Sequence, residues 1–584
     1  MRKHITITFL LLLSLIWGGI RAQETDDIGT ETVTVVKPYS PTVSDAFKIK
    51  SLPSLNDSIV LQKKKIDYTI FSVPVASTYT PAKGKAARVE KTPPPTLYNS
   101  YVSIGLGNFN NALVDFYTSR EFNRGEDLLD IGLSHHSSRG DIASTPLDTD
   151  FYNSKLDVSY AKKDRDLDWG TSLGLQHQLY NWYGIENGAL DDATLASIDE
   201  GQNYFTADAK AHINLEDSFF KKGTLLLRRF WDETESAENR VVLQPVLELP
   251  ITGELVTITT KLDYVGGSFQ NADLNNTSNT GGINYGHFQV GVNPSLLVLR
   301  DELTLNLGAN IVYGTDIENS TSNFYIYPAV TASYRLVDET VIAYGGIEGQ
   351  LRQNSYYDLV QDNPFVSPTL GIQPTDQQYE GYVGLKGELF SGVGYNIKGS
   401  YMAENRRPLF LLNPQNQFRN DAKGYYFGNS FQVFYDDIKT LGIFGELNID
   451  VNRNFTMGIN AEIYDYDTET DNPAWNLPNL KGSLLLDYQI NEQWFFGANL
   501  FFVGEREDLQ AQAIANATPA DFPAQIVTLD SFFDANAHLG YRFNDQLSVF
   551  AKASNIANNN YQQWFNFNVQ GFQALAGVSY KFDF

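Results

Sequence analysis

Seven histidines are the side chains of this sequence best suited to acid–base work or to binding a transition metal. Two are adjacent, His135 and His136. On a strand, neighbouring side chains point to opposite faces, so this pair cannot share a metal. His177, His212, His287 and His538 stand alone. There is no cysteine, which removes disulfides, thiolate chemistry and lipid attachment at a mature N-terminal Cys. No His-x-x-x-His, Walker loop or Gly-x-Ser-x-Gly elbow occurs. The glycines of Gly105-Leu106-Gly107 lie in an alternating segment, where Gly marks a bend or a close approach. No catalytic residue, cofactor or metal site is therefore assigned, and an enzyme is not expected. A rim site assembled from distant Ser, His or Asp is the one enzymatic arrangement that spacing does not address.

Charge points to recognition. The net charge is −26, which disfavours a nucleic-acid partner. It is unevenly placed. Residues 37–97 hold ten Lys/Arg against four Asp/Glu, and residues 98–584 hold 30 against 61. A basic leader precedes an acidic body. Its basic side chains cluster at Lys63, Lys64, Lys65, Lys83, Lys85, Arg88 and Lys91, and an acidic cavity would draw them in. Aromatics recur beside polar segments: Trp182, Tyr183, Tyr356, Tyr357, Trp475, Trp564 and Phe565. A girdle at a membrane interface is the expected role, with ligand stacking as the sharper alternative. Loops rich in Asn, Asp, Ser and Thr, such as 271–284, offer oxygen ligands for sugars or divalent cations, or are plain solvated surface.

The elements that must carry these residues alternate with period two. Phe572, Ala574, Ala576, Val578, Tyr580, Phe582 and Phe584 point one way; Gln573, Leu575, Gly577, Ser579, Lys581 and Asp583 point the other. Residues 533–543, 455–464 and 443–451 repeat the pattern. In the last of these, Glu446, Asn448 and Asp450 share a face. Carboxylates spaced like this are costly in a dry core and cheap against a wet lumen. Because backbone groups cannot go unpaired in hydrocarbon, a sheet in lipid must close on itself. The expected fold is all-β, a transmembrane antiparallel β-barrel over 98–584. Val578, Tyr580, Phe582 and Phe584 resemble the C-terminal signal read by the barrel-assembly machinery.

Connections fall in two classes. Tight turns stand at Asn452-Arg453-Asn454, Asn491-Glu492-Gln493, Asn544-Asp545-Gln546, Arg300-Asp301-Glu302 and Val337-Asp338-Glu339. Long loops stand at 137–151, 181–202, 269–282, 355–377, 405–423 and 506–528, the last with an Ala-rich stretch suited to a short helix. Short turns inside and long loops outside are the asymmetry of outer-membrane barrels. Segment counting gives 23 strands, an odd number. Ser430 to Val451 lies between a long loop and a tight turn, so it reads as one strand, leaving about 22.

The front end reads differently. Residues 1–22 have the charged start, short apolar run and small-residue exit of a secretory signal. Residues 23–97 are proline-rich and basic, an extended periplasmic or lumenal segment. Near its start stands Glu31-Thr32-Val33-Thr34-Val35-Val36. With this box ahead of a large barrel, the chain resembles the TonB-dependent receptors. The resemblance implies an outer-membrane barrel that mediates or gates solute passage, and a box that pairs as an added strand with the TonB energy-coupling protein. It departs from the family in one respect. A full plug domain does not fit between Lys37 and Tyr98, so the segment is a reduced plug, or loops fill the lumen, or another protein does. The alternative function is a non-transporting barrel that docks other outer-membrane or periplasmic proteins.

Overall fold

The computed structural model describes residues 97–584, except 141, 143, 252–253, 271–280, 416–422 and 512–523. Glu31 to Val36 and the basic cluster Lys63 to Lys91 lie outside the described residues.

Antiparallel strands form one 22-stranded sheet. In chain order they begin β1 (Ser100–Gly107), β2 (Ala112–Phe122), β3 (Asp127–Ser138), β4 (Phe151–Lys163), β5 (Leu167–Asn181), β6 (Gly201–Leu215), β7 (Phe220–Asp232), β8 (Ala237–Ile251) and β9 (Glu254–Phe269). They continue with β10 (Ile283–Arg300), β11 (Leu303–Asp316), β12 (Thr321–Val337), β13 (Val341–Arg352), β14 (Thr375–Phe390), β15 (Val393–Leu412), β16 (Phe431–Asn452), β17 (Phe455–Thr468), β18 (Leu480–Gln489) and β19 (Trp494–Val503). A separate hairpin follows, β20 (Arg506–Ala511) with β21 (Ala524–Leu529). The wall resumes with β22 (Phe532–Arg542) and β23 (Leu547–Ser554). A small ladder, β24 (Gln562–Trp564) with β25 (Phe567–Asn568), precedes the last wall strand β26 (Gln573–Phe582). β26 pairs with β1 from Ser100↔Phe582 to Gly107↔Leu575. That pairing removes both edges, as hydrocarbon requires.

Alternation sorts the wall as expected. Ile443 and Val451 on β16 are each 54% exposed, and Val578 and Tyr580 on β26 also lie open on the apolar outer face. Glu446, Asn448 and Asp450 take the opposite, luminal face. An apolar outer surface of this extent belongs in lipid, and a polar inner one in water. The protein is an outer-membrane β-barrel.

The tight turns carry their own chemistry. The Asn491 side chain accepts from the N–H groups of Gln493 and Trp494, and Asn544 accepts from Gln546 and Leu547. These are Asx turns. Between β14 and β15 the chain turns at Gly392 with φ 84°, a conformation that glycine adopts without steric cost. β16 is the single long strand read from the sequence.

Two expectations are corrected. The loop expected at 405–423 begins later, because β15 passes through a bulge between Glu404 and Arg407 and pairs on to Leu412. The segment 506–528 does not flank a helix with coil: its described ends pair as β20 and β21, and its Ala-rich centre lies outside the described residues.

Candidate functional site: a cap over the barrel mouth

The long loops all leave the end of the barrel opposite the tight turns. Taking the tight-turn end as periplasmic, this is the extracellular mouth. Twenty-two strands at a spacing of about 4.8 Å and a tilt of about 40° enclose a ring on the order of 40 Å across. Loop 182–200 joins β5 to β6. Loops 353–374 and 413–430 root eight and ten strands away round the ring, and loop 555–572 six strands away in the other direction. Segments anchored so far apart touch only if each leans over the lumen.

They do touch. Phe365 and Phe567 stack with centroids 4.0 Å apart, and Tyr183 packs edge-on against both. Trp182 meets Tyr425 at 5.0 Å. Asn429 donates to the Trp182 carbonyl at 2.6 Å, and the Tyr183 hydroxyl donates to the Asn568 carbonyl at 2.9 Å. Phe431 at the start of β16 bridges to Val366, and its carbonyl accepts from the Ser367 N–H. The result is one hydrophobic core that joins the loops to the mouth ends of the wall strands, uniting Trp182, Tyr356, Tyr425 and Phe567 with Tyr204, Phe230, Phe269 and Phe431.

This corrects the expected role of the aromatics. Trp182, Tyr356 and Phe565 are buried in this core, and Tyr183, Tyr357 and Trp564 pack against it. Trp475 is buried in a smaller neighbouring core with Leu409, Leu411 and Ile438. They form neither a membrane girdle nor a free stacking platform. Burying each stabilises the cap by about 1.5–3 kcal/mol.

A polar clamp ties the cap to the wall. Loop 353–374 carries the helix Tyr356–Asp362, whose N-cap Ser355 accepts from the Asp358 N–H. The first helical N–H groups lack partners within a helix. Here Glu238 on β8 supplies them: its carboxylate accepts from Tyr356 N–H at 2.6 Å and Tyr357 N–H at 3.2 Å. The same carboxylate accepts from the Tyr285 hydroxyl at 2.6 Å. Asp232 accepts from the Tyr356 hydroxyl at 2.8 Å. Arg240 is fully buried and forks onto Asp263 at 3.0 and 3.1 Å, while its other nitrogen reaches Asp358 at 3.2 Å. Arg228 lies 3.8 Å over the Tyr357 ring. Glu238, Arg240 and Asp263 are tolerated at this depth because they are hydrogen-bonded, and Arg240 and Asp263 are paired as well.

A second tie comes from β20. Buried Asp508 accepts from the Leu412 N–H and the Asn476 side chain, at 3.0 and 2.9 Å. Burial pushes its carboxyl up to about 6 despite those bonds. Burial likewise pulls the Arg506 guanidinium down to about 10, and that side chain donates to the carbonyls of Gln562 and Gln563. Hairpin β20–β21 is thus fastened to the end of β15 and to loops 469–479 and 555–572.

The histidines stay apart. His135 bonds Ser154 at 2.7 Å while His136, on the other face, bonds Asn111 at 3.2 Å. No group of three or more His, Asp or Glu able to hold a metal occurs among the described residues. Sequence reasoning missed Glu238, Arg240, Asp263 and Asp358. The visible signal was Glu238 and Arg240 on one face of a strand end. Their partners on the helix lie 118 residues away, beyond any local pattern.

No protein-family model matches the sequence, and no curated protein matches it. Solved structures do match. The siderophore receptor PirA from Acinetobacter baumannii is 12% identical, with 83% of this chain and 80% of that one covered, at a TM-score of 0.61. A mutant of the ferric enterobactin receptor from Pseudomonas aeruginosa is 12% identical over 83% and 80%, at 0.58. The ferripyoverdine receptor of the same organism, bound to ferripyoverdine, is 13% identical over 84% and 72%, at 0.58. The fold is that of the TonB-dependent receptor barrel. At these identities the likeness is one of fold. The barrel of this chain carries its own closure at the mouth, built from loops.

Proposed function

We propose that this protein is an outer-membrane receptor that gates the passage of a solute, with the loop cap as the gate. The observation that carries this reading is the cap itself: loops from opposite sides of a wide barrel meet over its mouth and are held by hydrogen bonds, ion pairs and packing, all reversible. The shared fold with receptors for ferric siderophores supports a receptor over an enzyme. In this reading residues 1–22 are removed on export, and Glu31 to Val36 pair with the TonB energy-coupling protein by strand addition. Lys63, Lys64, Lys65, Lys83, Lys85, Arg88 and Lys91 seat against the acidic lumen or its periplasmic mouth. Val578, Tyr580, Phe582 and Phe584 serve as the assembly signal; the open outward faces of Val578 and Tyr580 suit that role.

The test is conductance of the full chain in planar bilayers. The intact protein should show small or no steps, and deleting 356–373 should give large stable channels. Channels of equal size before and after the deletion would refute the gate. A pulldown with the coupling protein's periplasmic domain, before and after deleting 31–36, separates coupled transport from scaffolding. Loss of binding supports the former. Stoichiometric partners that persist without the box, on a barrel that never conducts, would support the latter.

A further inference from the structure

We infer a binding site for a small zwitterion, of the size and charge pattern of an α-amino acid, on the luminal face of the wall just beneath the cap. It goes beyond the gating reading and does not depend on it. A cavity of about 150 Å³ lies where β10, β11 and β12 reach the mouth, roofed by residues 373–374 and Arg406. A cavity of about this size holds a molecule of roughly six heavy atoms, as benzene-sized cavities do.

Its lining separates opposite charges. At one side stands Arg406, in the β15 bulge, with φ 56°. A non-glycine residue in that region is disfavoured and persists only where its surroundings hold it. Here its N–H donates to Asp437 at 2.7 Å, its carbonyl accepts from Thr375 at 2.8 Å, and its Nε donates to the Pro374 carbonyl at 3.1 Å. Every anchor uses the backbone or Nε. Among the described residues the two terminal nitrogens, the pair that forks onto a carboxylate, have no partner.

The rest of the lining supplies acceptors. Asp316 lines the same cavity, and its bonds go to the Asn319 N–H and side chain in its own turn. His287 is 5% exposed, and its Nε2 lies 2.8 Å from the Ile372 carbonyl. A carbonyl only accepts, so Nε2 carries the proton and Nδ1 is the acceptor. Gln289 is 4% exposed and donates its amide to Gln353, leaving its oxygen as acceptor. Among the described residues, Arg406 and Asp316 form no ion pair with each other or with any other side chain. A guanidinium and a carboxylate share one small cavity without meeting. A ligand that bridges them needs a carboxylate for Arg406 and an ammonium for Asp316, whose three N–H groups match the three acceptors.

Isothermal titration of the full chain in nanodiscs tests this, with L-alanine as the probe and propionate and ethylamine as its two halves. Alanine should bind saturably, and each half about ten- to hundredfold more weakly, as expected for losing a charge-assisted contact. Arg406→Gln and Asp316→Asn should each weaken alanine by a similar factor. Arg406→Gln should leave ethylamine unchanged, and Asp316→Asn should leave propionate unchanged. Heat-modifiable migration on gels confirms that each variant keeps its barrel. Absence of saturable alanine binding by the unaltered protein would overturn the site, as would propionate binding as tightly as alanine. Neither result bears on the conductance of cap-deleted protein, so the two readings fail separately.

Discussion

Glu238→Ala is the substitution that most directly tests whether the cap is held by its clamp. The Glu238 side chain is fully buried and accepts from three donors: the Tyr356 and Tyr357 N–H groups and the Tyr285 hydroxyl. Alanine removes all three acceptor contacts and orphans the N-terminus of the helix in loop 353–374. Each buried donor left without a partner costs about 1–3 kcal/mol. Three neighbours do not add fully, so the closed cap loses about 3–6 kcal/mol. At about 1.4 kcal/mol per tenfold, the open population of this loop rises roughly a hundred- to ten-thousandfold. Hydrogen exchange by mass spectrometry on the amides of Tyr356–Asp362 reads that population. Exchange there should accelerate by at least a hundredfold, while wall strands such as β16 stay protected. Glu238→Gln keeps one acceptor oxygen and should fall between. Protection of the helix unchanged within threefold in Glu238→Ala would refute the clamp, because the donors would then have other partners or never have been dry.

Two further outcomes follow from burial and facing. Asp508 titrates near 6 in the closed hairpin and near its ordinary value of 3.8 once opened to water. Between these values the closed form binds more protons than the open one. Its contribution is therefore full below the open value and is lost as pH rises through about 6, up to about 3 kcal/mol. Opening of β20–β21, measured by exchange corrected for intrinsic rate, should be rarer at pH 5 than at pH 8. Asp508→Asn should flatten the profile, and tighter closure at pH 8 would contradict the burial argument. On the wall, Ile443→Lys places a charge in lipid and should lower stability by about 2–4 kcal/mol at mid-bilayer. Asn448→Lys, on the luminal face beside Glu446, should change it by less than about 1 kcal/mol. Urea unfolding in lipid vesicles compares them, and equal losses would mean that the faces are misassigned.

The sequence alone determined the wall. Period-two alternation is local: each side chain is chosen for lipid or for water by its own position on the strand, and the choice shows residue by residue, as in Glu446, Asn448 and Asp450 against Ile443 and Val451. The turns were as legible, because an Asn that caps two N–H groups acts within three residues. The cap was not. Trp182, Phe365, Tyr425 and Phe567 sit in separate polar loops, none of which has a face to bury until ring closure sets them opposite one another. Glu238 and Arg240 read as two more luminal charges until a helix from 118 residues away brings their partners. Arg406 looked like the start of a loop and is instead a strained bulge within a strand. Tertiary structure decided the closure because its contacts pair residues that no local period links, and only a ring of fixed circumference brings them within bonding distance.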